Sequence, residues 1–163
     1  MQSRIAAITG ASSGIGAATA MRLAGNYTGL VLHARKSRDA LEAVAEAVRA
    51  RGTEVTTVYG ELQDEMLPEQ LIAAAKGLGG LDCLVANAGF PIIKSFDEGG
   101  PADLDYAFKG NVYSFFALTR AAAPMLRQST SARVVAVGSF TAHFFRTDVR
   151  LYPMSAASKA SYA

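Results

Sequence analysis

The sequence predicts an α/β fold in which a doubly wound parallel sheet carries helices on both faces. Short apolar runs alternate with longer segments of helical periodicity along the 163 residues. This β-α-β alternation with short loops is typical of such folds. The apolar runs are nearly continuous, which indicates strands that are buried on both faces. The length favours a single domain over residues 1–163.

Five runs are predicted to be strands, at residues 4–9, 29–34, 54–59, 81–86 and 133–137. Three of the helices predicted between them lie at 37–51, 67–76 and 101–128. Ser37 is placed to cap the first of these helices, and Gly52 is placed to end it. That helix carries four apolar residues at helical spacing: Leu41, Val44, Ala45 and Val48. The third segment is predicted to be one long helix with Asn111 in its middle.

Composition and charge exclude several classes of protein. Half of the residues are apolar, 18% are charged, and the formal net charge is +2. This charge is too small to predict binding to nucleic acid or to an anionic membrane. No apolar run reaches the roughly 20 residues of a membrane span. The single cysteine, Cys83, excludes a disulfide within the chain, so we expect a reducing, cytoplasmic location.

A glycine-rich loop follows the first strand and opens a helix. It reads Thr9-Gly10-Ala11-Ser12-Ser13-Gly14-Ile15-Gly16. Gly10 permits the tight turn, Gly14 lets the backbone approach a ligand, and Gly16 lets the helix pack close to the strand. The helix N-terminus supplies free N–H groups and a partial positive charge. The pattern therefore predicts a loop that binds a pyrophosphate.

The G-x-x-x-G-x-G spacing of this loop, with the threonine before it, resembles the short-chain dehydrogenase/reductase family. Members of this family have a Rossmann fold and move a hydride to or from nicotinamide. Later residues match the family in order, and Asn87-Ala88-Gly89 resembles its N-A-G turn after the fourth strand. Asn111 and Ser139 fall where the family has a catalytic asparagine and serine, and Ser158-Lys159 resembles its serine–lysine pair. The resemblance covers essentially the whole chain.

The resemblance also implies which residues bind the cofactor. Glu61 and Leu62 would flank the adenine, although the family usually has aspartate at the position of Glu61. The full predicted set is Gly10, Ser12, Ser13, Gly14, Ile15, Gly16, Arg35, Glu61, Leu62, Asn87, Ala88, Gly89 and Lys159.

Cations follow the second strand. The segment reads His33-Ala34-Arg35-Lys36-Ser37-Arg38, with no carboxylate before Asp39. NAD-selective Rossmann proteins have an acidic residue here that binds the ribose 2′-hydroxyl. Cations suit a 2′-phosphate instead, and arginine can hold it in bidentate fashion. We therefore predict NADP(H) with Arg35 as its main contact; the alternative is a solvated basic stretch, which the dipole at a helix start disfavours.

The family's usual Y-x-x-x-K signature is altered. Ser155 stands four residues before Lys159, and an aliphatic hydroxyl ionises far less readily than a phenol of pKa about 10. Tyr152 lies seven residues before Lys159, and Pro153 favours placing Tyr152 at the helix cap. The side chain of Lys159 would lean toward that cap. This Tyr-x6-Lys spacing resembles the enoyl-thioester reductases of the superfamily; the alternative is that Tyr152 is a pocket-wall aromatic and the site is altered or silent.

The sequence thus predicts an NADPH-dependent oxidoreductase acting on a small carbonyl or alcohol substrate. Tyr152 would donate a proton or hydrogen bond to the substrate oxygen. Lys159 would hold the nicotinamide ribose and make the tyrosine a stronger acid. Ser139 would orient the substrate oxygen, and Asn111 would hold a water in a proton relay. Two alternatives remain: an enoyl-thioester reductase, favoured by the Tyr-x6-Lys spacing, and a non-catalytic NADP(H)-binding sensor, supported by Ser155.

Assembly and chain length carry two further expectations. Family members usually form dimers or tetramers through the helices that hold Asn111 and Lys159, so we expect a homodimer or homotetramer. The predicted long helix has more apolar surface than one sheet face needs, at Tyr106, Val112, Tyr113, Phe116 and Leu118.

The family's domain usually has two more strands after the Lys159 helix, so we expect this sequence to be partial at its C-terminus.

Overall fold

In the computed structural model, which describes residues 4–144, 148 and 152–161, five strands form one parallel sheet. They are β1 (Ile5–Ile8), β2 (Gly29–Ala34), β3 (Glu54–Tyr59), β4 (Cys83–Ala86) and β5 (Arg133–Ala136). Their order is β3-β2-β1-β4-β5, and each neighbouring pair is parallel. The order reverses between β1 and β4, so the sheet is doubly wound, as predicted. Ligands of such sheets bind at this reversal, beyond the carboxyl ends of the strands.

Helices cover both faces of the sheet. They are α1 (Gly14–Leu23), α2 (Arg38–Arg49), α3 (Leu67–Gly77), α4 (Pro101–Phe108), α5 (Ser114–Leu126) and α6 (Pro153–Ala160). Ala6 and Ile8 of β1 pack in one core cluster with buried residues of α1 and α2. Ile5 and Ala7 of the same strand pack in a second cluster with α3 and α5. Successive residues of β1 therefore face opposite cores, which explains its continuously apolar sequence.

The helix predicted over 101–128 runs without a break from Pro101 to Leu126, but its middle is a π-helical turn. α4 ends at Phe108, Lys109–Tyr113 forms a π-helical turn, and α5 begins at Ser114. The wider turn carries Asn111, which is buried, and turns of this kind are frequent at functional sites. Sequence periodicity does not reveal the turn, because the chain stays helical through it and the change is in the backbone hydrogen bonds. Ser37 occupies the N-cap of α2 as predicted, but its side chain makes no capping hydrogen bond.

Strand β5 is less covered than the central strands. Val134 is 43% exposed and Val135 is 46% exposed. Neighbouring residues of a strand point to opposite faces, so both faces of β5 are open in the part of the chain that the structure describes. Across that same part, no helix is both long enough and apolar enough to span a membrane.

Candidate active site

A pocket of about 740 Å³ opens at the carboxyl ends of the strands. Its lining comes from the segments that follow each of the five strands and from α6. Its volume is in the range of small-molecule sites. Most of the predicted site residues line it: Gly10, Ser12, Ser13, Ile15, Arg35, Glu61, Leu62, Asn87, Ala88, Gly89, Ser139, Tyr152 and Lys159. Three predicted site residues, Gly14, Gly16 and Asn111, are not part of this lining.

The glycine-rich loop has the conformation that its sequence predicts. Gly10 and Gly14 have φ values of +67° and +54°, which residues with a side chain rarely adopt. A methyl group on Gly16 would overlap the carbonyl oxygen of Gly10 and lie 2.6 Å from Nδ2 of Asn87. The N-terminus of α1 therefore packs directly against the loop. The N–H groups of its first turn have no helical partner and are available to an anion.

Thr9 and Asn87 join this loop to the turn after β4. The hydroxyl oxygen of Thr9 accepts hydrogen bonds from the backbone N–H groups of Asn87 (3.1 Å) and Ala88 (3.0 Å). In return, Nδ2 of Asn87 donates to the carbonyl oxygens of Thr9 (2.9 Å) and Gly10 (3.1 Å). These reciprocal bonds fix the distance between two walls of the pocket. The sequence marked both residues as motif members without revealing that they bind each other.

His33, which was not predicted as a site residue, supports the same loop from β2. Its imidazole is 1% exposed; Nδ1 accepts from the N–H of Gly10 (3.4 Å), and Nε2 lies 3.0 Å from the carbonyl oxygen of Gly60. Only the neutral ring that carries its proton on Nε2 makes both bonds. Burial lowers the pKa of His33, and the bond to Gly60 offsets part of this effect. The feature of the sequence that could have identified His33 is a histidine near the end of an otherwise apolar strand.

We expect the free energy of unfolding to decrease as the pH falls below about 6.5, the ordinary pKa of histidine. The folded protein keeps His33 neutral to a lower pH than the unfolded chain does. Between the lowered pKa and about 6.5 the unfolded chain therefore binds more protons, and stability rises with pH. The slope from one such group is at most about 1.4 kcal/mol per pH unit.

Urea unfolding between pH 5 and 7 measures this slope, which His33→Gln should flatten. His143→Gln is the matched control, since His143 is the other histidine and is exposed. If His33→Gln kept the full slope, another group would be responsible for it.

Lys159 and Gly89 line the pocket, and the buried side chain of Asn111 lies beside them. The ammonium Nζ of Lys159 donates to the carbonyl oxygen of Val137 (3.2 Å), and burial lowers the pKa of Lys159. A methyl group on Gly89 would lie 2.9 Å from this Nζ and 3.1 Å from Oδ1 of Asn111. Asn111 donates to Oγ of Ser158 (2.9 Å), while its Oδ1 has no hydrogen-bond partner among the described residues. A buried acceptor therefore lies near the ammonium.

Tyr152 and Ser155 both line the pocket, but their settings differ. Tyr152 is the N-cap residue of α6, outside the regular helix, with Pro153 at the first helical position. Ser155 is 6% exposed, and its Oγ accepts from the backbone N–H of Ile92 at 2.7 Å. The serine thereby binds the loop after β4 to α6. Ser139 caps a short 3₁₀ turn, where its Oγ contacts Oγ1 of Thr141 at 2.8 Å.

Charged side chains line the side of the pocket that is formed by the segments after β2 and β3. Arg35 Nη1 lies 3.9 Å from Glu61 Oε2, and Lys36 Nζ lies 3.6 Å from Glu61 Oε1. Arg38, the first residue of α2, has its guanidinium 4.2 Å from the centre of the ring of Tyr59, the last residue of β3. The two basic residues nearest the predicted 2′-phosphate are thus already paired with a carboxylate, which the sequence did not predict.

Comparison with known proteins supports this architecture. A family model described as short chain dehydrogenase matches residues 4–163. An uncharacterized oxidoreductase of Mycobacterium tuberculosis is 33% identical over 164 residues, which cover 99% of this chain and 62% of that protein.

Two solved structures are similar over nearly the whole chain. A short chain dehydrogenase from Burkholderia cenocepacia in complex with NADP has a TM-score of 0.88 and 32% identity, covering 97% of this chain and 63% of that one. A 3-oxoacyl (acyl-carrier-protein) reductase from Agrobacterium tumefaciens with NADP bound has a TM-score of 0.84 and 30% identity, covering 97% and 60%. This chain thus spans less than two thirds of the length of each of these proteins. The match of the family model, on top of the shared fold, shows that the chain belongs to the short-chain dehydrogenase/reductase family.

Proposed function

We propose that this protein is an NADP-dependent oxidoreductase that transfers a hydride between nicotinamide and a carbonyl or alcohol substrate. The observation that carries the proposal is one pocket lined by the glycine-rich loop, by Arg35, and by Tyr152 with Lys159. Two similar structures bind NADP, which supports the choice of cofactor. When bound, the nicotinamide supplies or accepts the hydride, and the side chains of the protein bind, orient and move the proton.

Cofactor binding is assigned to the loop and the basic wall. The first turn of α1, with Ser12, Ser13 and Ile15 before and within it, faces the pyrophosphate with its free N–H groups. Arg35 contacts the 2′-phosphate, with which guanidinium forms two parallel bonds. Leu62 packs at the adenine end of the pocket. The turn after β4 supports the loop through the bonds of Asn87.

Proton transfer is assigned to Tyr152. Its phenol would donate a proton to the substrate oxygen, and the Lys159 ammonium would stabilise the phenolate that remains. Ser155 is a poor candidate for this role, because its oxygen already accepts from Ile92 and its hydroxyl is a far weaker acid. Ser139 orients the substrate oxygen. Oδ1 of Asn111, which has no hydrogen-bond partner among the described residues, would accept from a water that connects the ammonium of Lys159 to solvent.

A substrate panel tests this function. The full-length protein, with NADPH or NADH, is offered ketones and enoyl thioesters side by side while cofactor absorbance is followed. We expect turnover of ketones with NADPH preferred. Turnover confined to enoyl thioesters would favour the reductase that the Tyr-x6-Lys spacing resembles. Tight NADPH binding without any turnover would favour a cofactor sensor, which Ser155 in the usual tyrosine position supports.

Replacing Arg35 by aspartate should weaken NADPH binding about 10- to 150-fold. The substitution removes a charge-assisted contact worth about 1.5–3 kcal/mol to the 2′-phosphate. NADH lacks this phosphate, so its affinity should hold or improve. Titration of both cofactors by nicotinamide fluorescence measures the effect. A wild-type protein that bound NADH more tightly than NADPH would refute the proposed cofactor.

We also propose that the protein forms a homodimer or homotetramer through the outer face of α4 and α5. Tyr113 and Phe116 are 62% and 66% exposed, and Leu104 and Tyr106 are also exposed. Such adjacent apolar side chains favour an interface. Leu118, predicted to belong to this surface, is instead buried against the sheet, because it lies on the inward face of α5.

A further inference from the structure

Three charged side chains meet at one end of the pocket. Arg35 and Lys36 follow β2, and Glu61 follows β3. The two strands pair in register up to Ala34 and Tyr59, so their following residues emerge side by side. Glu61 is the one carboxylate among the described lining residues, and each of its oxygens is near a different cation, at 3.9 Å from Arg35 and 3.6 Å from Lys36.

We propose that Glu61 determines cofactor specificity by competing with the 2′-phosphate for Arg35 and Lys36, which limits the preference for NADP(H) over NAD(H). The inference rests on the proposed function, since it requires Arg35 and Lys36 to receive that phosphate. Glu61 acts here as a built-in anion. Its carboxylate pairs with both cations while no phosphate is bound, and these ion pairs must break when a phosphate binds.

The charges of Glu61 and of the 2′-phosphate predict that Glu61 weakens the binding of NADP(H). A phosphate monoester carries about −1.5 to −2 charges at pH 7. To contact the two cations, which lie 3.9 Å and 3.6 Å from the Glu61 oxygens, it must come within a few ångströms of that carboxylate. The resulting repulsion, in water and at physiological salt, corresponds to about a three- to tenfold loss of affinity. A 2′-hydroxyl is neutral and can donate a hydrogen bond to a carboxylate, so NAD(H) meets no such repulsion.

Glu61 could instead contact the adenine, and this role makes a different prediction. Both cofactors contain the same adenine, so loss of an adenine contact weakens the binding of both equally. Competition at the 2′ position changes the affinity only for the phosphorylated cofactor. Two fragments that differ by this phosphate alone therefore separate the roles: adenosine 2′,5′-bisphosphate and adenosine 5′-monophosphate.

Calorimetric titration of both fragments into the full-length protein tests the proposal. Glu61→Gln should tighten binding of the bisphosphate about three- to tenfold and leave the monophosphate within about twofold. The gain should shrink at high salt, because the effect is electrostatic. Glu65→Gln is the matched control: it removes an equal charge from the same segment, at a residue that is exposed and does not line the pocket. It should change neither affinity appreciably.

Each contrary outcome has a distinct meaning. An equal change for both fragments would overturn the proposal and assign Glu61 to the adenine. No change for either fragment would also overturn it, because the carboxylate would then not compete. A wild-type protein that binds the bisphosphate no better than the monophosphate would contradict the NADP(H) preference itself, and the inference would fail together with the proposed cofactor.

Discussion

Tyr152→Phe is expected to lower turnover about 10²- to 10⁴-fold, the usual contribution of a positioned acid. The substitution removes one hydroxyl and preserves the ring, so the cap of α6 should stay in place. NADPH affinity should change little, because contacts with the far parts of the cofactor are assigned in our proposal to the glycine-rich loop and Arg35. Steady-state kinetics, together with NADPH titration, separates the two effects.

Ser155→Ala is the control for this experiment. It should lower turnover only mildly, because this serine holds Ile92 and is not placed as an acid. Its main cost should be to stability, since the buried N–H of Ile92 loses its acceptor, at about 1–3 kcal/mol. If Tyr152→Phe kept full turnover while Ser155→Ala abolished it, the assignment of the proton donor would be wrong.

Lys159→Met is expected to lower turnover at least about a hundredfold and to weaken NADPH binding. It removes the ammonium that we propose contacts the ribose and stabilises the tyrosine phenolate. The methionine stem fills nearly the same volume, so packing should be maintained. Kinetics and cofactor titration measure both losses. Lys76→Met, at an exposed position in the last turn of α3, should leave both unchanged.

The same substitution should not reduce stability near neutral pH. Burial lowers the pKa of Lys159, so the folded protein disfavours the ammonium relative to the unfolded chain. Between that lowered pKa and about 10.4 the unfolded chain binds more protons, and wild-type stability should rise with pH there relative to Lys159→Met.

If Lys159→Met kept turnover within about threefold of wild type, Lys159 would have no part in the mechanism.

Local sequence patterns predicted the fold and much of the candidate site. Continuous apolar runs predicted the strands because β1 and β2 are buried on both faces. Glycine spacing predicted the loop because its backbone needs the positive φ of Gly10 and Gly14. Pro153 predicted that Tyr152 lies at a helix cap, since proline favours the first helical position. In each case the physical cause lies within a few neighbouring residues.

The features that the sequence did not predict depend on contacts between distant residues. Ser155 and Ile92 are 63 positions apart, and Thr9 and Asn87 are 78 apart. No spacing rule joins such pairs before the sheet order is known. The π-helical turn at Asn111 was missed for another reason: the chain stays helical through it, and the change is in the backbone hydrogen bonds.

We propose that Tyr152 and Lys159 act together beside a bound nicotinamide, and a crystal structure of the full-length protein with NADP⁺ would show whether they do. We predict that the Tyr152 hydroxyl faces the nicotinamide C4 across a space for one substrate oxygen, within about 2.6–3.2 Å of that oxygen. Nζ of Lys159 should lie at hydrogen-bond distance from the nicotinamide ribose. A structure in which Tyr152 points away from the nicotinamide, while Oγ of Ser155 faces C4, would contradict the claim.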